Sequence, residues 1–404
     1  MKIAYLAPEI PALSATFVYN EILQLEKLGD SVVPFSVRRP YSVAKDACLD
    51  SLKRKVFFIY EQKKHHVFLN HMSLLITKPI CYANTVKLLI KDILTLGLMS
   101  RNAFGVIYRF FYAASVADKL IEKDCQHVHT HFAHVPADIA MYAAEMAGIS
   151  FSITAHANDI FERRWLLREK VDRSAFFATI SQFNINYLAD LGINTKKVHL
   201  VRCGVNFESF CQREGWDSGQ IIKIGVVGRL VEKKGIDTLI RAVGKLKQEG
   251  VSFELSIAGS GPLESQLRFL TNELKLSSED VRFLGAMPHD KVSDFIKSLD
   301  VFALPCQCDT NGDMDGIPVA LMEAMLAGVP VISTYISGIP ELVVNKETGL
   351  LVEPNDSNAM AEAILSVVKD DVLRRHLIGN AIKKVKTEFS LLTNTQRLRE
   401  LFHP

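Results

Sequence analysis

A chain of 404 residues is too long for one ordinary core and about right for two α/β domains. Its 48% hydrophobic and 23% charged residues are the make-up of a soluble globular protein, and a formal charge of +2 gives no general argument for nucleic acid. Every apolar run stops short of the roughly 18 residues a membrane span needs, and Glu9 and Glu21 interrupt any secretory leader, so a cytoplasmic protein is expected.

In chain order, residues 3–7 form an apolar strand. Residues 16–28 carry Phe17, Ile22, Leu25 and Leu28 at helical spacing, Gly29 ends that helix, and 31–37 is a second strand. Helical patterns fill much of 62–123. Over 38–123 basic residues outnumber acidic ones by roughly two to one, with Phe, Leu and Ile between them. Further strands fall at 127–132, 151–154, 176–180 and 198–202, with helices such as 136–147 and 182–191 between them. The polar stretch 203–220 holds Gly204, Asn206, Gly215, Asp217, Ser218 and Gly219 and reads as a linker. The second half is more regular. Strands at 221–227, 253–258, 281–284, 301–304, 329–333 and 349–352 alternate with helices at 236–247, 263–274, 290–299, 318–326 and 357–368. A last helix covers 391–402. Such alternation demands crossovers and therefore parallel sheets. The expected fold is α/β: two Rossmann-like, doubly wound domains, 1–205 and 206–387, facing across a cleft, with ligands at the carboxyl ends of the strands.

Two motifs carry chemistry. Gly228-Arg229-Leu230-Val231-Glu232-Lys233-Lys234-Gly235 follows a strand and opens a helix, so free amides and the positive helix end suit a phosphate, with Arg229 and Lys234 as added cations. A charged surface turn is the alternative. Asp315 and Glu323 bracket a helix start at which Pro318 suits the first turn. Asp315 falls in the preceding loop, and Glu323 falls where it can accept bonds from a ribose diol; a capping Asp315 with a solvated Glu323 is the alternative.

Other signals carry less. Asn311-Gly-Asp-Met-Asp-Gly imitates a calcium loop, but its twelfth position is Met322. His127, His129 and His131 share one face of a strand, where zinc is one option. At the strand's carboxyl end His131 reads as cleft-lining, and His127 and His129 as space-filling. Cys48, Cys81, Cys125, Cys203, Cys211, Cys306 and Cys308 form no zinc-type pattern and read as reduced thiols. Cys306 and Cys308 are too close in sequence for an unstrained disulfide and read as small residues packed near the cleft.

Taken in order, Gly228–Gly235, Ala258-Gly-Ser-Gly-Pro262, Asp300–Pro305, Asp315–Pro330, Gly338-Ile-Pro-Glu341 and Gly349-Leu-Leu-Val352 resemble glycosyltransferase family 4. These enzymes have the GT-B fold and retain anomeric configuration. Asp315–Glu341 is most similar to the colanic-acid and exopolysaccharide branch. Ser14-Ala-Thr-Phe-Val-Tyr-Asn-Glu21, His129-Thr-His-Phe132 and Thr154-Ala-His-Ala-Asn-Asp159 resemble it more weakly.

The resemblance implies that Arg229 and Lys234 hold a donor diphosphate, Glu323 the ribose and Asp315 the transferred sugar. Gly259, Ala286 and Met287 would edge the base, and the Val319 amide would donate. His156 would approach the sugar from the N-terminal, acceptor-side domain, where Ser14, Thr16, His131 and Asp159 line the cleft. The 388–404 segment would pack back on that domain. The implied reaction moves a sugar from a nucleoside diphosphate sugar, such as a UDP- or GDP-sugar, to a glycan or lipid-linked acceptor in surface or exopolysaccharide assembly. It needs no metal. The basic apolar segment 38–123 would meet the inner face of the cytoplasmic membrane. The pattern departs from the family where Asp315 replaces a common Glu, where Pro318 replaces a common Gly and so lacks an N–H, and where 8–16 lacks a glycine pair. An epimerase or phosphorylase on the same fold, or a non-catalytic nucleotide-sugar binder, are the rival readings.

Overall fold

The structure is a computed structural model and describes residues 1–12, 15–40, 49–207 and 221–403, so Ser14 and most of the expected linker lie outside the described residues. The chain divides into two compact units, Met1–Arg202 with Asn394–Pro404, and Cys203–Thr393.

The first unit is built on seven strands: β1 (Lys2–Glu9), β2 (Ser31–Arg38), β3 (Phe57–Phe58), β4 (His127–His131), β5 (Ser150–Ala155), β6 (Phe177–Thr179) and β7 (Val198–Leu200). They pair in parallel in the order β3-β2-β1-β4-β5-β6-β7. Helices cover both faces, which is why Ile3–Ala7 reads as one apolar run and is fully buried. The C-terminal helix Leu391–Phe402 brings Leu398 and Phe402 into the same core as Tyr5, Ile22 and Phe176. Arg399 and the terminal amine both reach Asp30, at 2.6 and 3.1 Å. Three helices, Lys64–Thr77, Pro79–Leu96 and Arg101–Glu122, fill the segment where helical patterns were expected. The two-residue strand Phe57–Phe58 was not foreseen, because two residues are too few to show a period.

The second unit has β8 (Ile222–Val227), β9 (Phe253–Ala258), β10 (Val281–Gly285), β11 (Val301–Ala303), β12 (Val331–Thr334) and β13 (Leu350–Val352), all parallel in the order β10-β9-β8-β11-β12-β13. Its helix Asp371–Glu388 is absent from the sequence expectations. The buried stripe of that helix is Arg374, Leu377, Ala381 and Val385, which an apolar count underrates. In each sheet the strand order reverses once, between β1 and β4 and between β8 and β11. Loops that leave the carboxyl ends of those neighbours diverge to opposite faces and leave a crevice.

Candidate active site

In the second unit the ends of three strands are stitched by backbone. Gly228 N–H donates to Ala258 O at 3.0 Å, and Gly259 N–H donates to Gly285 O at 2.7 Å. Two glycines are obligatory here. A Cβ on Gly259, at φ +150°, would lie 1.8 Å from Gly228 O, and one on Gly235, at φ +61°, would lie 1.9 Å from Pro305 O. The loop after β8 is therefore pressed against the loops after β9 and β11.

That contact sets the electrostatics. Residues Glu232–Lys234 form one tight turn before the helix Ile236–Gln248. The turn aims two adjacent lysines at the loop after β11. Lys234 Nζ lies 2.6 Å from Asp315 Oδ2; Lys233 Nζ lies 2.7 Å from Asp313 and 3.5 Å from the other oxygen of Asp315. The Cys306 thiol donates to Asp315 at 3.4 Å. Burial works to raise Asp315, but Lys234 and Lys233 hold its carboxyl below the usual carboxylate range. Burial works to lower Lys234, and Asp315 more than offsets it, so the ammonium titrates above its ordinary value. Burial and Asp315 push the Cys306 thiol well up, so it stays protonated, whereas Cys308 is exposed rather than packed. The calcium-like run thus spends Asp313 and Asp315 on lysines.

Arg229 is exposed at the head of the same loop. Ala286 is exposed and Met287 packs on the core just past β10. Pro318 caps the helix Val319–Leu326 from outside, one residue earlier than its expected place in the first turn, because its extended ψ of 126° is not helical. Val319 heads that helix half-buried, and Glu323 is buried within it. Arg229, Lys234, Gly259, Ala286, Met287, Asp315, Val319 and Glu323 therefore all belong to one end of one sheet.

The first unit places His131 and His156 at the carboxyl end of its sheet, with His127 and His129 further back along β4. On β4 the three rings share a face, but His127 and His129 do more than fill space. Each meets the hydroxyl ladder of β5: His127 with Ser150 and Ser152 at 2.7 and 2.6 Å, His129 with Ser152 and Thr154 at 2.8 and 3.0 Å. Burial pushes His127 down to about 4 and His129 well below the usual imidazole range, so both are neutral. His131 Nδ1 lies 3.0 Å from His156 Nε2, just past β5. Asp159 is fully buried, and its carboxylate accepts from the amides of Ala133, His156 and Ala157 at 2.7 to 3.0 Å. It latches the loop that carries His156 instead of facing an acceptor. Thr16 begins the helix Thr16–Lys27, half-buried.

Sequence reasoning missed Lys233, Asp313, Tyr5, Glu21 and Asn184. Glu21 had a signal: it sits beside Val18, Ile22 and Leu25 on the buried stripe of its helix, where a carboxylate needs a partner.

Residues 209–384 match the family described as glycosyl transferases group 1. The amylovoran biosynthesis glycosyltransferase AmsK of Erwinia amylovora is 29% identical over 415 residues, spanning 99% of each chain. WcaL of Salmonella typhimurium, named for colanic acid biosynthesis, is 31% identical over 417 residues, again spanning 99% of each. The crystal structure of Anabaena HepE in complex with UDP and glucose covers 100% of this chain and 99% of its own at a TM-score of 0.71 and 16% identity, which makes the fold GT-B. The chain belongs to the group 1 glycosyltransferases, and it is a glycosyl-transferring enzyme homologous to those of exopolysaccharide biosynthesis.

Proposed function

We propose that the enzyme transfers a sugar, with retention of configuration, from a nucleoside diphosphate sugar to a glycan or lipid-linked acceptor in surface polysaccharide assembly, and that the Cys203–Thr393 unit holds the donor. The observation that carries this reading is the lysine pair facing Asp313 and Asp315 at the switch point of the second sheet. An arriving diphosphate competes for Lys234 and draws on Arg229. Asp315, released from Lys234, then turns to the hydroxyls of the transferred sugar. Glu323 takes the ribose, Gly259, Ala286 and Met287 edge the base, and the Val319 amide donates to the donor. As the bond to C1 breaks, charge builds on the diphosphate, where fixed cations in a partly dry site stabilise it most. These side chains supply the positive charge that a metal ion supplies elsewhere. In the first unit, His156 is assigned to the sugar, and Thr16 and His131 to the acceptor side.

The acceptor reading has its own support. The helix Pro79–Leu96 buries Thr85 and Asp92, while Ile80, Ile90 and Leu94 point outward. Asp92 is tied by Arg173 at 2.6 Å and by the Tyr142 hydroxyl at 2.7 Å, so polar contacts hold this helix to the unit. The neighbouring helix Lys64–Thr77 exposes Phe68, Leu69, Met72, Leu75 and Ile76. Exposed Lys87 and Lys91 sit one turn apart on the first of these helices. An apolar surface with a basic rim fits the anionic inner face of a membrane, where lipid-linked acceptors lie. Among the described residues no helix is long and apolar enough to cross that membrane.

A thermal-shift panel of nucleoside diphosphates and their sugars tests the donor assignment, because a ligand of the folded form raises apparent stability. The matching donor is then supplied with extracted lipid-linked acceptors. No shift from any uridine or guanosine diphosphate, or full transfer by Arg229→Ala and Lys234→Ala, removes the assignment.

A further inference from the structure

At the rim of the first unit, just past β4, hydrogen-bond donors gather around one buried histidine. His134 caps the helix Val135–Ala147 by accepting the Val135 N–H on Nδ1 at 2.8 Å. Its ring stacks on Phe132 with centroids 5.5 Å apart, and the residue is only 9% exposed. Burial, with Arg163, Lys170, Arg109 and Arg38 acting in the same direction, pushes it down to about 3, so the ring is neutral. With Nδ1 accepting, the one proton sits on Nε2. Among the described residues that N–H donates to nothing, and a buried donor without a partner costs stability.

The cations nearby are only partly engaged. Lys170 is fully committed: its ammonium donates to the carbonyls of Ala133 and Trp165 at 2.6 and 2.9 Å and pairs with Asp138 at 2.9 Å. Arg109 uses one nitrogen on the other oxygen of Asp138, at 2.7 Å, and lies over the Trp165 ring at 5.0 Å. Exposed Arg163 has Glu162 alone, 3.9 Å away. Arg39 is held by both oxygens of Glu61, at 2.6 and 3.0 Å, whereas among the described residues the guanidinium of exposed Arg38 has no partner. Strand register brings Arg38 near. It pairs with Glu9 on β1, and Leu6 pairs with Thr130, so the level of Arg38 falls at Ala133, beside His134. Two strand spacings, about 10 Å, separate them. Glu9 stands opposite Arg38 in that register but forms no ion pair with it among the described residues.

Three guanidinium groups with open N–H positions and one imidazole N–H suit an anion with several oxygens. Guanidinium meets phosphate through parallel N–H bonds, and the neutral ring adds a donor of fixed direction. The border of the cluster is apolar: Phe104, Ile107 and Tyr108, in the turns before Arg109, are all exposed. Phe132 packs against both His134 and His156, the latter at 4.6 Å, so the cluster lies one aromatic ring from the residue assigned to the sugar.

We propose that His134, Arg38, Arg109 and Arg163 bind a phosphate or diphosphate group carried by the acceptor, with the apolar part of the acceptor against Phe104 and Ile107. The source of the phosphate rests on the acceptor reading given above; the anion site does not.

The test is isothermal calorimetry on the full chain with three probes: hexyl diphosphate, hexanol and inorganic pyrophosphate. Hexyl diphosphate should bind at least about 10-fold more tightly than either of the others. Arg38→Gln and Arg163→Gln, both at exposed positions, should each weaken it about 10-fold, the worth of one charge-assisted hydrogen bond. His134→Phe keeps a ring against Phe132 but removes the Nε2–H, and should weaken it several-fold. Arg229→Ala, in the other unit, should leave it unchanged. Equal affinity in wild type and both arginine variants overturns the site, and a loss confined to Arg229→Ala places the probe on the donor clamp instead. Pyrophosphate binding as tightly as hexyl diphosphate, with the same sensitivity to Arg38 and Arg163, keeps the anion site and overturns its assignment to the acceptor. The donor reading is judged separately, by the nucleoside diphosphate thermal shift, so a chain that fails there and still binds hexyl diphosphate through Arg38 and Arg163 loses that reading and keeps this one.

Discussion

Lys234→Met separates the two roles given to this lysine. In the resting site its ammonium is 2.6 Å from Asp315, and the two side chains are 16% and 14% exposed. Breaking a buried pair costs about 3–5 kcal/mol when the surviving charge is orphaned. Asp315 is not orphaned, because Lys233 remains 3.5 Å from its other oxygen and the Cys306 thiol still donates to it. The expected cost is therefore nearer the ~1.5–3 kcal/mol of a charge-assisted hydrogen bond. For a unit of this size that lowers Tm by about 3–12 °C and leaves the protein folded at room temperature. The rate should suffer more. Removing one fixed donor from a developing anion costs about 100- to 1000-fold in kcat. Turnover and melting are measured on the same preparation, and Asp315→Asn is added on top. The double variant should regain stability, because the excess negative charge is gone, and should regain no activity. A Lys234→Met enzyme that melts lower yet turns over at the wild-type rate would refute the diphosphate clamp and leave Lys234 a purely structural partner of Asp315.

The same pair predicts a stability profile. Asp315 titrates below its unfolded value, so its contribution is complete above about pH 4 and is lost as pH falls through the native value. Lys234 titrates above its unfolded value, so its contribution is complete below about pH 10 and is lost as pH rises through the native one. The Tm difference between wild type and Asp315→Asn, followed by calorimetry, should be flat between those limits and shrink outside them. Gly235→Ala, whose Cβ would lie 1.9 Å from Pro305 O, should lower Tm by several degrees and abolish donor-induced thermal shift, since left-handed strain and a backbone clash add to about 2 kcal/mol or more. Ile90→Asp with Leu94→Asp should leave Tm within a few degrees but strongly reduce sedimentation with anionic phospholipid vesicles, because both side chains are already in solvent. Retained sedimentation by that double variant would move the membrane contact elsewhere.

The parts of the fold that were legible in the sequence are those whose physics is local. The strands Phe253–Ala258 and Ile222–Val227 show apolar runs ended by glycine, and Ile236–Gln248 shows a clean amphipathic stripe. Gly235 and Gly259 were also legible, since positions with no room for a Cβ leave a residue-type trace. Pairings between distant residues leave none. Nothing near Lys233 announces Asp313, 80 positions later, and the roles of Asp159 and Asn184 depend on which backbone groups the β5 loop brings within reach. His127 and His129 illustrate the same limit. Their alternation was plain, but their serine and threonine partners lie on a strand more than twenty residues away, set by the β4–β5 register.

The two sheet ends meet the same geometric opportunity with opposite electrostatics. In the second unit burial is resisted by pairing: lysines and aspartates remain charged because each stabilises the other, and the charges stay available to an anion that can outbid a carboxylate. In the first unit burial prevails. His127, His129, His134 and His156 are all pushed below the usual imidazole range and kept neutral, and each is oriented by hydrogen bonds rather than by charge. A diphosphate needs the first kind of surface, because only fixed cations compensate its charge when water is reduced. Uncharged hydroxyls need the second, because they are sorted by the direction of hydrogen bonds, which neutral rings define and a titrating imidazolium would blur. Exchanging the two chemistries should therefore fail in both directions: His131→Lys would replace a ring that joins Glu21 to His156 with a flexible, donor-only ammonium, and Lys234→His would leave the diphosphate with a cation whose charge depends on pH near neutrality.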